Sequence, residues 1–255
     1  MWSRRRRARA WLDGWEDVAC AALPQWSQLD DDERTELALR LERFVRRTRW
    51  EAARGFALDQ EVVVTIAASA ALLAIGLDRD CFRHVRAVVV HPRSYTNRGV
   101  RATAVSGVVT EAPQQLLGHA RDGQGPVVLS WSAVRRDVRH PERGQNVVVH
   151  ELAHKLDAAG GLFDGTPEIT DRTDRADWVQ VCNREYRRLR RRTDPDPVLR
   201  RYATTNPAEF FAVATEAFLM RPLDLESHHP ELYRVLSGHY GQDPAERERR
   251  ATRQA

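Results

Sequence analysis

His150-Glu151-Leu152-Ala153-His154 is a stretch whose residue types and spacing spell out chemistry. On a helix, positions i and i+4 stand one above the other, so two imidazoles in this register can each give a nitrogen to one divalent ion at ~2.0 to 2.1 Å. The glutamate between them reaches a water held at that ion. With nine histidines in 255 residues, a chance H-E-x-x-H is expected on the order of 0.02 times. The competing reading is a solvated helix face, on which Glu151 and Lys155, the sole lysine, form an i, i+4 pair worth about 0.3 kcal/mol.

A catalytic zinc site takes three protein ligands and a water. The metzincin solution places a third histidine six residues after the second, but Gly160 stands there. The remaining route is a glutamate from a later helix, and Glu209 and Glu216, seven residues apart, share a face. Glu209 also sits where a capping-box glutamate belongs, three residues after Asn206. Glu216, set among Phe210, Phe211, Val213, Phe218 and Leu219, needs a polar partner if buried. Spacing leaves both open. Asp157 opposes the macrodipole in the last turn of the H-E-x-x-H helix and wants a local reason to be there, such as orienting a metal-bound imidazole. No other histidine has metal spacing.

The elements that must position these groups follow from caps and periodicity. Asn146 is an N-cap candidate and Gly160-Gly161 a stop, which predicts a helix over 147–159 with Val148, Leu152 and Leu156 on the face opposite the imidazoles. Asn206 and Pro207 open a helix over 207–220. Further helices are predicted over 28–54, 60–76, 175–192 and 229–239, and short β-branched runs at 87–90, 107–110 and 126–131 read as a small sheet. The last of these, before the metal-binding helix, is a candidate edge for an extended substrate. The predicted class is α+β, mostly helical, with a small sheet beside the active-site helix.

Composition bounds the rest. A chain that is 42% hydrophobic and 30% charged is one ordinary globular domain, neither fibrous nor disordered. The 40 basic against 36 acidic residues leave only +4, weak grounds for nucleic-acid binding. Three dispersed cysteines, Cys20, Cys81 and Cys182, suit a reducing, cytoplasmic setting. The arginine-rich start runs into Trp11-Leu12-Asp13 without the apolar core of an export signal, and Val62–Leu77 is too short to span a bilayer. Residues 1–12 and 248–255, and the arginine-rich stretch from Glu246 generally, lack apolar periodicity and are expected to be disordered or frayed around a domain over 13–247.

The stretches His150–Asp157, Asp164-Gly165-Thr166-Pro167, Tyr202–Val213, Gly125–Trp131, Ile66-Ala67-Ala68, Pro230–Tyr233 and Tyr240–Pro244 together resemble the Mlc titration factor A family of zinc-dependent peptidases, which are gluzincin-like around the metal. The likeness covers about residues 13 to 247. It implies one Zn2+ held by His150, His154 and Glu209, with Glu151 as the base and Tyr202 as a phenol that stabilises the transition state. Asp157 and Glu216 become supporting residues. The resemblance also implies aminopeptidase-like action on peptides or proteins and, as an alternative or added activity, sequestration of a transcriptional repressor, while the charge balance and the short apolar run speak against nucleic-acid and membrane partners. After Asp157 the chain has Ala158-Ala159-Gly160, where the family more often shows Asp or Asn before the glycine.

Overall fold

From Val62 to Ala74 the chain carries no charged residue, so a helix there has no polar face to offer water and belongs inside. In the structure, a computed structural model that describes residues 11–53, 55–93 and 125–254, every residue from Val62 to Ala74 is buried, in helix α3 (Gln60–Ala74). Around it lie α1 (Trp15–Ala22), α2 (Asp31–Arg47), β1 (Arg49–Ala52), β2 (Ala87–His91), β3 (Val127–Ser130), α4 (Trp131–Arg139) and α5 (Val147–Ala159). The chain continues through α6 (Arg172–Arg191), α7 (Pro207–Met220), α8 (Pro222–His228), α9 (Pro230–Tyr240) and α10 (Pro244–Gln254). The class is α+β and mostly helical, as the sequence predicts.

The sheet is parallel, in the order β1-β2-β3, with Arg49 opposite Ala87 and Val88 opposite Val127. Parallel neighbours need a crossover, and α3 supplies it between β1 and β2. The connection from β2 to β3 passes through residues 94–124, so the strand expected at 107–110 lies outside the described residues. Helix α5, the element carrying His150 and His154, packs against both α3 and α7. Helix α7 is itself buried from Ala208 to Leu219.

Two expectations are corrected. The helix predicted over 28–54 ends at Arg47, and Arg49–Ala52 becomes β1. Thr48 turns extended there, and Trp50 folds back so that its Nε1 donates to Val45 O at 3.2 Å while its ring meets Phe44 edge-on. A helical pattern in the side chains lost to strand pairing with β2. The stretch from Glu246 is not frayed: it lies in α10, with Arg247 only 1% exposed. Charge, not an apolar stripe, holds this helix. Arg247 donates to Glu33 Oε1 at 2.9 and 2.7 Å, Arg250 reaches Asp30 and Glu33 at 3.1 and 3.2 Å, and Arg249 pairs with Glu226 at 2.7 Å. Residues 1–10 lie outside the described residues.

Candidate metal centre

Helix α5 begins where Asn146 accepts the N–H groups of Val148 and Val149, both at 3.1 Å. Asn146 Nδ2 donates to Ser69 Oγ on α3 at 3.3 Å, and Val147 N–H donates to buried Asp137 at the end of α4 at 2.9 Å. The start of the helix is thus fixed from two sides. Val148, Leu152 and Leu156 are buried, and both imidazoles leave the helix toward α7.

There they meet one carboxylate. Glu209 Oε2 lies 3.1 Å from His150 Nε2 and 3.3 Å from His154 Nε2. One ligand atom from each of the three residues falls within 4.8 Å of the other two. Burial works to raise the Glu209 pKa, but hydrogen bonds from the two histidines prevail and hold it well below the carboxylate range. Two imidazole nitrogens and a carboxylate oxygen converging from two packed helices form the donor set of a three-ligand divalent-metal site, so these residues fit such an ion.

Behind His150 stands the second glutamate. Glu216 Oε1 is 2.7 Å from His150 Nδ1 and also receives Arg200, while Glu216 Oε2 accepts the Asn146 N–H at 2.9 Å. Burial opposes a charge on His150, yet Glu216 and Glu209 outweigh it and raise its pKa to about 10. Spacing left the two glutamates equivalent; the packing of α7 on α5 points Glu209 between the imidazoles and puts Glu216 behind the first one. Sequence reasoning missed Arg200, which sits in a loop with no spacing signal and lies 3.3 Å from His150 Nδ1.

Glu151 is half-buried and makes no hydrogen bond or ion pair among the described residues. Its negative charge acts on His150 and on Tyr202. The i, i+4 pair with Lys155 does not form, because Lys155 Nζ donates to Gly125 O at 2.7 Å. Tyr202, in a short 3-10 turn (Arg201–Thr204), brings its ring to 6.0 Å from that of His150. Burial, then Glu209, pushes its pKa up, so the phenol keeps its proton. Asp157 goes elsewhere than predicted. Both its oxygens accept the Gly165 N–H, at 2.9 and 3.0 Å, and His154 Nδ1 has no hydrogen-bond partner among the described residues. Burial raises the Asp157 pKa to about 6.

A helix-borne histidine pair facing a buried glutamate is a group that could hold a metal ion, and residues 1–241 match the family described as glucose-regulated metallo-peptidase M90. The chain belongs to that family. It is similar to proteins named Mlc titration factor A from Serratia proteamaculans, 29% identical over 96% of this chain and 93% of the relative, and from Pectobacterium atrosepticum, 30% identical over 92% and 88%. A Synechocystis protein is 30% identical over 90% of this chain and 84% of its own length. No helix among the described residues is long and apolar enough to cross a membrane.

Proposed function

We propose that this chain is a zinc-dependent peptidase that binds one Zn2+ through His150, His154 and Glu209, with Glu151 and Tyr202 acting on the substrate. The observation that carries this reading is the convergence of the three ligand atoms within 4.8 Å, with Glu216 behind His150. A bound zinc ion supplies Lewis acidity, lowering the pKa of a water to about 7 and polarising the scissile carbonyl. Glu151, whose carboxylate has no competing partner among the described residues, takes the proton of the attacking water and returns it to the departing amine. Tyr202 keeps its own proton and donates it as a hydrogen bond to the developing oxyanion. Glu216 accepts from His150 Nδ1, which turns Nε2 toward the ligand cluster, and Arg200 neutralises Glu216.

The sheet edge suits an extended substrate. Among the described residues β3 is an outer strand, and it packs on α5. We read the cleavage as amino-terminal on the strength of the family resemblance, and the setting as cytoplasmic because the three cysteines are unpaired. The name Mlc titration factor A, borne by relatives, favours a second reading in which the chain sequesters a repressor. Capture of such a repressor by metal-free Glu151→Gln protein would establish that binding apart from peptidase chemistry.

The deciding experiment is Glu151→Gln. Stoichiometric zinc should remain by elemental analysis while turnover of a peptide library falls by ~10² to 10⁴. Wild-type rates in this variant would remove Glu151 from the mechanism, and loss of zinc would make it a ligand.

A further inference from the structure

The described residues leave four large apolar side chains exposed, and two of them, Leu162 at 63% and Phe163 at 36%, are adjacent in the loop that follows α5. The loop is tied down on both sides of this pair. Gly160 lies so close to the returning strand of the loop that a Cβ there would stand 2.6 Å from Thr166 O. Gly165 holds φ +82°, and a Cβ there would stand 2.5 Å from the Pro207 carbonyl at the start of α7. Asp157 takes the Gly165 N–H, and Gly165 O accepts from buried Trp178 Nε1 at 3.1 Å. Two large apolar side chains are therefore presented to water by a fixed backbone. The Phe163 ring lies 5.3 Å from that of His154, with the planes 38° apart.

That separation suits a peptide. Successive residues of an extended chain advance about 3.3 Å, so a peptide whose scissile carbonyl lies at the His150, His154 and Glu209 cluster passes a flanking side chain within reach of Phe163, whose ring stands beside that of His154. We propose that Leu162 and Phe163 form the apolar wall that receives the side chain flanking the scissile bond, so that the substrates are peptides with leucine, phenylalanine or a similar residue at that position. Asp157 and Gly165 are positioning residues for this wall. The assignment rests on the peptidase reading above for its substrate class.

The test uses the zinc-loaded full chain and compares leucine hydroxamate with glycine hydroxamate by calorimetry, since both present the same metal-binding head. The wild type should bind the leucine compound at least about tenfold more tightly. In Leu162→Ser/Phe163→Ser that ratio should fall toward one, with zinc content and glycine hydroxamate affinity unchanged, and Phe163→Leu should retain most of the preference. In parallel, quenched peptides with leucine beside the scissile bond should show a raised KM in the double variant at similar kcat, and those with serine there should change little. An unchanged hydroxamate ratio in the double variant overturns the wall, as does a wild-type preference for charged residues. A ratio that behaves as expected in a protein that cleaves no peptide overturns the peptidase reading and leaves the apolar wall standing.

Discussion

At the scale of single residues, the centre divides its two glutamates by what each faces. Glu209 looks at two Nε2 atoms, whereas Glu216 looks at one Nδ1, a guanidinium and a backbone N–H. Removing a ligand and removing its support have different consequences. Glu209→Ala should abolish stoichiometric zinc. Glu216→Ala should keep the ion but weaken it by ~10- to 100-fold, the usual cost of losing an orienting partner. Competition titration with a zinc chelator measures both, and full retention of zinc by Glu209→Ala would transfer the ligand role to Glu216.

At the scale of elements, α5 is held at its first turn by a network around Asn146 that reaches two other elements. Asn146 caps α5, its side chain touches Ser69 on α3, and its backbone N–H serves Glu216 on α7. Asn146→Ala leaves that backbone contact but removes the side-chain cap, and should cost about 1 kcal/mol in urea unfolding. The start of the helix also sets the height of His150, so the same variant should bind zinc more weakly than wild type. A stability loss without any change in metal affinity would show that the cap supports the fold alone. The far end of α5 is handled differently, by Asp157 and the two tight glycines. The sequence marked that end as a stop but carried no sign that the following loop returns to touch Pro207 of α7.

At the scale of the whole molecule, charge pairing closes the chain on itself. Arg247 of α10, 1% exposed, binds Glu33, which also completes the capping box of α2 with Asp30. Arg247→Ala empties a buried site and leaves half-buried Glu33 with Arg250 alone, so it should destabilise the protein by about 1 to 3 kcal/mol, read from chemical denaturation. A loss below about 0.5 kcal/mol would place α10 among the dispensable ends that its composition suggests. A buried histidine acts similarly beside α8. His229 on the α8–α9 joint spans Glu185 of α6 at 2.9 Å and Asp196 at 3.1 Å. Metal should tie these parts together further: a ligand bound only by the folded state stabilises by about 4 kcal/mol at a thousand times its Kd. Chelation should accordingly lower the Tm, and an unchanged Tm would mean that the His150, His154 and Glu209 cluster holds no ion in the folded protein.

What could be read from the sequence alone is what short-range geometry controls. The i, i+4 pair His150 and His154, the caps Asn146 and Asn206, the Gly160-Gly161 stop and the uncharged run of α3 all act within a few residues, and each stands where the sequence placed it. What only the tertiary structure decided depends on groups that meet across the chain. Which glutamate faces the imidazoles is settled by contacts 59 and 66 residues apart, through the rotation of α7 against α5. Arg200, β1 in place of a longer helix and the ordered α10 were hidden for the same reason. Their partners are distant in sequence, and neither propensity nor periodicity carries the position of a partner that folding alone brings near.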